Sequence, residues 1–222
     1  IAAVTDNALG VAGVNWAADI LPVRVLDGSG SGSYSKIAEA IIWSVDQGAD
    51  VINLSLSGRN EPGPVLRSAV QYALAQGVTV VAAAGNSANY TGTSPEYPAS
   101  LPGVISVSAT GGDNEPAYYS NYGPEADISA PGGDISWGEN GGITSTIDTG
   151  TTAPAGPGYG AMQGTSMAAP AASAVAALLA SVGSFTPDQL EAALRTAVTA
   201  FPTGSPTYGF VQCTPARCGT GI

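Results

Sequence analysis

Gly164-Thr165-Ser166 precede an alanine-rich apolar run and place a hydroxyl group where it could act as a nucleophile. A helix that begins here would direct backbone N–H groups outward, which favours a negative charge near Ser166. A serine hydroxyl is a poor nucleophile at neutral pH and needs a base to take its proton. The chain of 222 residues contains no histidine. The alternative interpretation of Ser166 is an ordinary helix N-cap.

The elements that must position Ser166 alternate between buried strands and helices. Short apolar runs bounded by turn residues predict strands over residues 19–26, 49–56, 78–85 and 103–110. Helical spacing, with proline at the start or glycine at the end, predicts helices over 34–48 and 64–77. After residue 110 the chain is rich in Gly, Pro, Tyr and Asp, with a short β segment at 143–149.

Two further helices are predicted in the C-terminal third. The first carries Ser166, and Pro170 is expected in its first turn, where a missing N–H costs little. The second begins with Thr186, Pro187 and Gln189, the pattern of a capping box.

Strand and helix alternation at this spacing predicts an α/β fold with three layers, in which helices flank a mostly parallel central sheet. Since no linker or repeat interrupts the pattern, residues 1–222 are predicted to form one domain. Ligands bind outside the carboxyl ends of parallel strands. The segments that follow the strands, at 27–33, 56–58 and 85–89, should therefore lie near Ser166.

The charge balance limits the possible partners. The chain has 6 basic and 17 acidic side chains, which argues against nucleic acid and against anionic membrane surfaces. No uninterrupted apolar run is long enough to span a bilayer. The acidic surface is typical of a soluble protein, and the alternative is steering of basic substrates.

Cys213 and Cys218 are the two cysteines of the chain, with four residues between them. A zinc site would need more ligands, and neither histidine nor further cysteine is present. A disulfide between them is predicted, with two free thiols as the alternative. A disulfide would indicate an oxidising compartment, such as the outside of the cell.

The motif GTSMAAP at 164–170 resembles the serine motif of the subtilisin-like serine proteases. Other segments resemble further blocks of this family, in the family's order: DGSGSGSYS at 27–35, DVINLSLSG at 50–58, VVAAAGN at 80–86 and YSNYGPEADISAPG at 119–132. The resemblance implies a serine endopeptidase with the subtilisin-like fold.

The resemblance assigns roles to particular residues. Ser166 would attack the peptide carbonyl, and Asn86 would donate its amide to the resulting oxyanion. The alternative for Asn86 is an Asx-turn after a strand. An extended peptide would pair with both edges of a groove by β-augmentation, with a flexible Gly/Ser loop as the alternative for residues 27–35. The substrate-binding residues would be Gly30, Ser31, Gly32, Ser55, Leu56, Ser57, Gly58, Ala84, Gly85 and Glu96.

Glu96 lies in TSPEYPAS (93–100), which resembles the floor of the pocket for the substrate side chain before the cleaved bond, the P1 residue. A carboxylate there would favour lysine or arginine at P1. The alternative is a surface glutamate that points into water.

VTDNALGV at 4–11 resembles the family's calcium loop, one residue longer than the subtilisin pattern. Hard oxygen ligands on a tight loop suit Ca²⁺. The ligands would be the carbonyls of Val4, Leu9 and Val11 with a side chain of Asp6 or Asn7. Glu125 and Asp127 lie where some family members bind a weaker cation.

The chain departs from the family in lacking the histidine base and the aspartate that normally precede IAAV, the sequence at its start. Both ends are expected to be truncated, and a missing N-terminal segment or chain should carry the Asp and His. The 222 residues alone should therefore be inactive, while the complete protein should be a monomeric, secreted endopeptidase acting on proteins and peptides. The alternative is a catalytically inactive pseudoprotease that binds peptides. A Rossmann-type nucleotide site is disfavoured because no strand leads into a G-x-G-x-x-G helix start.

Overall fold

A four-stranded parallel sheet forms the centre of the computed structural model, which describes residues 1–88, 94–112, 114–200 and 221. The strands, in spatial order, are β1 (Val51–Leu54), β2 (Thr79–Ala83), β3 (Val104–Thr110) and β4 (Ile128–Pro131). A separate antiparallel pair consists of β5 (Ile143–Asp148) and β6 (Pro157–Met162).

Four α-helices connect or flank these strands in the described part of the chain. They are α1 (Tyr34–Asp46), α2 (Pro64–Ala75), α3 (Thr165–Val182) and α4 (Pro187–Thr196), and short 3₁₀ turns lie at Ile135–Trp137 and Glu139–Gly141. The capping box of α4 is confirmed, since Thr186 and Gln189 each bond the other's backbone N–H.

The core lies on both faces of the sheet, and this confirms the three-layer α/β fold. On one face, Ile41 of α1 and Leu66 of α2 pack with Val80 of β2. On the other face, Ala169 of α3 and Leu190 of α4 pack with Val81. Because both faces are covered, β2 and β3 are buried along their whole length.

Helix α3 owes its close approach to the sheet to alanine. Ala168, Ala169, Ala172 and Ala176 are buried in the same cluster as β2 and β3. This helix is also long and apolar enough to cross a membrane by length and composition. Its packing against the sheet is that of a core helix.

The strand predicted over residues 19–26 is wrong. The structure shows no strand there, and Ile20 is 57% exposed. An extended segment becomes a strand only when a neighbour accepts its backbone hydrogen bonds, and no described strand pairs with this one. A cavity of about 1360 Å³ separates residues 19–26 from the open edge of β1. Its lining is mainly apolar and includes Leu21, Val23, Ile41 and Leu178.

An ion pair attaches α4 to the sheet. Arg195 Nη1 lies 2.8 Å from Oδ1 of Asp127, and the backbone N–H of Ser106 donates to Oδ2 at 2.8 Å. The Asp127 carboxylate, predicted as part of a second cation site, thus already has a cationic partner. Burial raises the pKa of Asp127 to about 6, and nearby Glu191 adds to this effect, while Ser106 and Arg195 oppose it.

We expect Asp127→Asn to remove a pH dependence of stability between about pH 4 and pH 6. In this range the Asp127 carboxyl binds more protons in the folded protein than in the unfolded chain, because its pKa is raised on folding from 3.8 to about 6. The contribution of Asp127 to the free energy of unfolding should therefore fall by roughly 2–3 kcal/mol as the pH rises through this window. Urea denaturation at a series of pH values measures the slope.

Asp19→Asn, at an exposed position, is the matched control and should keep the wild-type slope. An unchanged slope in Asp127→Asn would show that this carboxylate does not titrate in the window.

Candidate active site

Ser166 is the second residue of α3, and its hydroxyl does not cap the helix. The N-cap is Gly164, which offers no side-chain hydrogen bond. The Ser166 hydroxyl instead donates to the backbone carbonyl of Ser55, just beyond β1, at 3.2 Å. The N-cap interpretation of Ser166 is therefore wrong, and the hydroxyl lies where β1 ends.

Pro170 lies in the second turn of α3, so its prediction in the first turn is wrong. At this position a proline removes the N–H that would donate to the carbonyl four residues earlier, that of Ser166. The Ser55 hydroxyl donates to that carbonyl instead, at 2.8 Å. Ser55 and Ser166 are thus joined by two reciprocal hydrogen bonds, and one of them depends on the proline.

A chain of side-chain hydrogen bonds extends this contact along α3. Nδ2 of Asn53 donates to the Ser55 hydroxyl at 2.9 Å, and the Ser173 hydroxyl donates to Oδ1 of Asn53 at 2.9 Å. Ser173 is buried. The end of β1 and the first two turns of α3 are therefore fixed relative to each other around Ser166.

Asn86 is held by Thr165 and not by its own backbone. Its Oδ1 accepts from the backbone N–H of Thr165 at 2.9 Å and from the Thr165 hydroxyl at 3.0 Å. The Asx-turn interpretation of Asn86 is therefore wrong. The Thr165 hydroxyl also accepts from the N–H of Gly85 at 3.1 Å. Sequence reasoning gave the Thr165 hydroxyl no role, although the residue lies inside the GTSMAAP motif.

The surroundings of Gly164 show how close the two predicted oxyanion donors lie to each other. These donors are the side-chain amide of Asn86 and the backbone N–H of Ser166. A methyl group added to this glycine would be 3.5 Å from Nδ2 of Asn86 and 3.6 Å from the backbone N of Ser166. Neither N–H donor has an acceptor within the described ranges. The φ of Gly164, +148°, also disfavours any other residue. The structure therefore brings the amide of residue 86 beside the start of α3.

Asn121 is a buried residue of this site that sequence reasoning missed. Its Oδ1 accepts from the N–H of Ser87 at 2.8 Å, and its Nδ2 donates to the carbonyl of Ala84 at 3.2 Å. Asn121 thus holds the backbone on both sides of Asn86. It lies within the quoted block 119–132, but only the fold brings it to residues 84–87.

Glu96 lies between the segments that follow β1 and β2. Its N–H donates to the carbonyl of Ala84 at 2.8 Å, and the next residue, Tyr97, exchanges two backbone hydrogen bonds with Gly58 at 2.8 and 2.9 Å. Residues 96 and 97 therefore close the floor between 55–58 and 84–87.

The Glu96 side chain is turned inward, so the interpretation as a surface glutamate is wrong. The side chain is 11% exposed. Its carboxylate accepts from the hydroxyls of Ser57 at 2.6 Å and Ser87 at 2.7 Å, and from Nε of Arg59 at 3.3 Å.

Residues 27–32 form a turn that is held by hydrogen bonds. Asp27 accepts from Ser29 and from the N–H of Ser31, and these hydrogen bonds, above all that from the Ser29 hydroxyl, lower the pKa of Asp27. A methyl group on Gly32 would lie 2.6 Å from the carbonyl of Val25, so packing within the chain already requires this glycine.

Tyr34, the first residue of α1, follows this turn closely in the chain and contacts the segment after β1. A methyl group on Gly58 would be 2.7 Å from the Tyr34 hydroxyl, which donates to the carbonyl of Asn60 at 2.6 Å. No hydrogen bond between described residues joins Gly30, Ser31 or Gly32 to Ser55–Gly58. Their pairing with a substrate stays a prediction.

Residues 4–11 form a loop that is closed at its base by two backbone hydrogen bonds, Gly13 to Ala3 at 3.0 Å and Asn15 to Ile1 at 3.1 Å. Oδ1 of Asn7 accepts from the N–H of Leu9 at 3.0 Å and serves the turn itself. The Asp6 carboxylate has no hydrogen bond to any residue that the structure describes. Of the two candidate side chains, Asp6 therefore fits a cation better.

Cys213 and Cys218 lie outside the described residues. Their disulfide stays a prediction.

A model of the family described as "Subtilase family" matches residues 1–221. Among curated proteins, thermitase of Thermoactinomyces vulgaris is 45% identical over 82% of this chain and 58% of its own length. An extracellular protease of Xanthomonas campestris pv. campestris is 39% identical over the whole chain and 37% of its own length. The chain spans between 37% and 60% of the length of the curated relatives it matches.

Solved structures agree with these relatives. A protease of Pseudoalteromonas arctica PAMC 21717 superposes with a TM-score of 0.89 at 40% identity, over 100% of this chain and 65% of that structure. A cold-adapted subtilisin-like serine proteinase superposes with a TM-score of 0.69 at 32% identity, over 85% of this chain and 63% of that structure.

We expect Thr165→Val to destabilise the protein by about 1–2 kcal/mol, because the buried N–H of Gly85 loses its acceptor while the side-chain volume is kept. Chemical denaturation measures the change. Thr146→Val, at an exposed position on β5, is the control and should have little effect. Equal stabilities of the two variants would show that the Thr165 hydroxyl does not hold the backbone at Gly85.

Proposed function

The chain belongs to the subtilase family, and we propose that it carries the nucleophile and oxyanion hole of a serine endopeptidase. The observation that supports this most is the position of Asn86. Its Oδ1 is occupied by Thr165, which leaves Nδ2 available beside the N–H of Ser166. Two such donors suit the oxyanion of a tetrahedral intermediate.

The proposed reaction has two stages. The Ser166 oxygen bonds to the peptide carbonyl carbon while its proton passes to a base, and Asn86 and the Ser166 N–H stabilise the oxyanion. The C–N bond then breaks, and the base returns the proton to the leaving amine. Water hydrolyses the resulting ester of Ser166 by the same route, which releases the acid and restores the hydroxyl.

We further propose that the base, a histidine, and its orienting aspartate come from an N-terminal segment or a separate chain outside these 222 residues. The cavity of about 1360 Å³ beside β1 supports this. No described residue pairs with the outer edge of β1, so the backbone groups along this edge lack sheet partners. Unpaired strand edges accept additional strands.

The position of the cavity suits this role. Ser55 lines the cavity, and its backbone carbonyl accepts the hydrogen bond from the Ser166 hydroxyl. A strand inserted parallel to β1 would end at the same edge of the sheet. Polar residues at that end would therefore lie beside Ser166, where a base is needed.

Substrate would bind as an extended strand. The backbone of Leu56 and Ser57 forms no hydrogen bond with the described residues, which leaves an edge available for main-chain pairing. Gly30, Ser31 and Gly32 would supply the opposite edge of the groove. The side chain before the cleaved bond would enter the space above Glu96.

A pseudoprotease that binds peptides without cutting them is the second candidate. The observation that favours it is the absence of histidine from the chain. Since both candidates use the same groove, they differ only in whether Ser166 becomes reactive.

We expect a fluorophosphonate probe to label Ser166 only slowly in the 222-residue chain, and rapidly when the N-terminal segment or separate chain proposed above is present. Ser166→Ala should abolish labelling, and Asn86→Leu should slow it by about 10²–10³-fold, a magnitude taken from subtilisin rather than derived from this structure. Mass spectrometry of the labelled peptide identifies the serine.

Ser145→Ala, at an exposed position on β5, is the control and should label as the unmodified chain does. Rapid labelling without the segment would contradict the need for an external base. Peptide binding without labelling, even with the segment present, would favour the pseudoprotease.

We propose that the loop at 4–11 binds a structural Ca²⁺ through Asp6 and the carbonyls of Val4, Leu9 and Val11. The carboxylate of Asp6 and the closed base of the loop support this, since Ca²⁺ prefers oxygen ligands. Bound calcium would stabilise the folded chain and take no part in the reaction.

We expect excess Ca²⁺ to raise the thermal unfolding midpoint of the protein and EDTA to reverse the change. At about 100 times its dissociation constant, a ligand stabilises by about 2.7 kcal/mol. Asp6→Asn should remove most of this gain, whereas Asp19→Asn should keep it. An equal gain in both variants would place the ion elsewhere.

We also propose that the protein is secreted, as the name of the Xanthomonas relative and the predicted disulfide between Cys213 and Cys218 suggest. A monomeric state of the complete protein stays a prediction.

A further inference from the structure

Residues 55–58 and 84–87 lie on either side of residues 96–97, and the region between them, with residues 96–97 as its floor, is here called the P1 slot. We propose that this slot selects lysine or arginine at P1, and that Arg59 is an internal cation which the substrate side chain displaces. This inference rests on the proposed function, because it takes the side chain adjoining the carbonyl at Ser166 to enter the slot.

The position of the slot follows from the two segments that form its walls. Ser55 is hydrogen-bonded to Ser166, and Asn86 is hydrogen-bonded to Thr165. Both walls, 55–58 and 84–87, therefore begin beside the proposed nucleophile. Away from Ser166 the walls are joined by Glu96, whose N–H bonds Ala84, and by Tyr97, which pairs with Gly58. A methyl group on Gly85 would lie 3.0 Å from Oε2 of Glu96. The Glu96 carboxylate therefore lies directly against Gly85, which belongs to one wall of the slot.

The Glu96 carboxylate is mostly shielded from water and must keep partners. Its side chain is 11% exposed, and the hydroxyls of Ser57 and Ser87 donate to it from opposite walls. These hydroxyls are neutral, so they hold the carboxylate without cancelling its charge. A poorly hydrated negative charge at the floor of a slot favours a cation there.

Arg59 supplies that cation in the absence of substrate, but it is weakly held. Its Nε lies 3.3 Å from Oε1 of Glu96, its Nη2 donates to the Ser87 hydroxyl at 2.9 Å, and its side chain is 57% exposed. Since more than half of the Arg59 side chain is exposed, water solvates the arginine well once it leaves Glu96. A substrate lysine or arginine can therefore replace Arg59 at Glu96 at low cost.

Affinity for the slot should fall in the order basic, uncharged, acidic P1 side chain. A basic side chain replaces Arg59 and forms an ion pair with the Glu96 carboxylate. An uncharged chain of the same length leaves the Arg59–Glu96 pair in place and gains only apolar contact. An acidic chain meets the Glu96 carboxylate and is repelled.

The test compares two peptide boronates that differ only at P1, one with lysine and one with norleucine, which has a straight four-carbon chain and no charge. Boron accepts the Ser166 oxygen and forms a tetrahedral adduct without a leaving group, so the affinity ratio reports the slot alone. The protein is the chain together with the N-terminal segment or separate chain proposed above. We expect the lysine compound to bind about tenfold more tightly.

Two variants separate the roles of the ion pair. Glu96→Gln should bring the lysine to norleucine ratio close to one, since it removes the charge and keeps the shape. Arg59→Gln should raise the ratio severalfold, because it removes the internal competitor. The control is Glu61→Gln, which removes a carboxylate from the exposed Arg67–Glu61 pair and should leave the ratio unchanged.

Failure of this inference differs from failure of the proposed function. If a fluorophosphonate labels Ser166 but both boronates bind equally, the P1 assignment is overturned and the peptidase assignment stands. If Arg59→Gln lowers the ratio, the competitor role is overturned. If neither labelling nor boronate binding occurs, the proposed function is overturned and this inference with it.

Discussion

The two hydrogen bonds from Thr165 to Oδ1 of Asn86 are the contact on which the arrangement of the site depends. They join residues 79 positions apart in the sequence, one at the end of β2 and the other at the start of α3. Because the amide is planar, fixing its oxygen also fixes its nitrogen. The donor is therefore oriented before any substrate arrives, which is the condition for electrostatic preorganisation.

The parallel sheet explains why these groups meet. Strands β1 and β2 run in the same direction, so the segments that follow them leave the same edge of the sheet beside the N-terminus of α3. The first carries Ser55 and the second carries Asn86. Buried Asn121 then fixes the backbone around Asn86 from a third direction. The layers that form the core thus also set the distances within the site.

Most regular elements could be predicted from the sequence, because their apolar runs are bounded by Gly and Pro. Strands β1 to β3 and helices α1 and α2 lie within the predicted ranges. Residues 19–26 have the same apolar pattern but no partner strand, and a pattern does not show whether a partner is present. Strand β4 was missed, because four residues in a stretch rich in Gly, Pro and Asp carry little signal.

The motifs GTSMAAP and VVAAAGN also predicted Ser166 and Asn86, the central residues of the site. The residues that hold or neutralise the site's side chains could not be found in this way. Thr165, Asn121 and Arg59 act through partners that are 28 to 79 positions away. Such contacts leave no local periodicity. Glu96 was noted as a carboxylate on a pocket floor, but its pairing with Arg59 depends on how two loops meet after the strands.

Pro170 gives α3 a mechanical property that an uninterrupted helix would lack. The carbonyl of Ser166 is released from the helical ladder and bound by Ser55 just beyond β1, and Ser173 binds Asn53 about two turns further along the helix. The helix is thereby held at two points, by its own Ser166 carbonyl to Ser55 just beyond β1 and by its Ser173 side chain to Asn53 of β1. A displacement of the end of β1 would therefore be passed directly to the start of α3, and with it to the hydroxyl of Ser166.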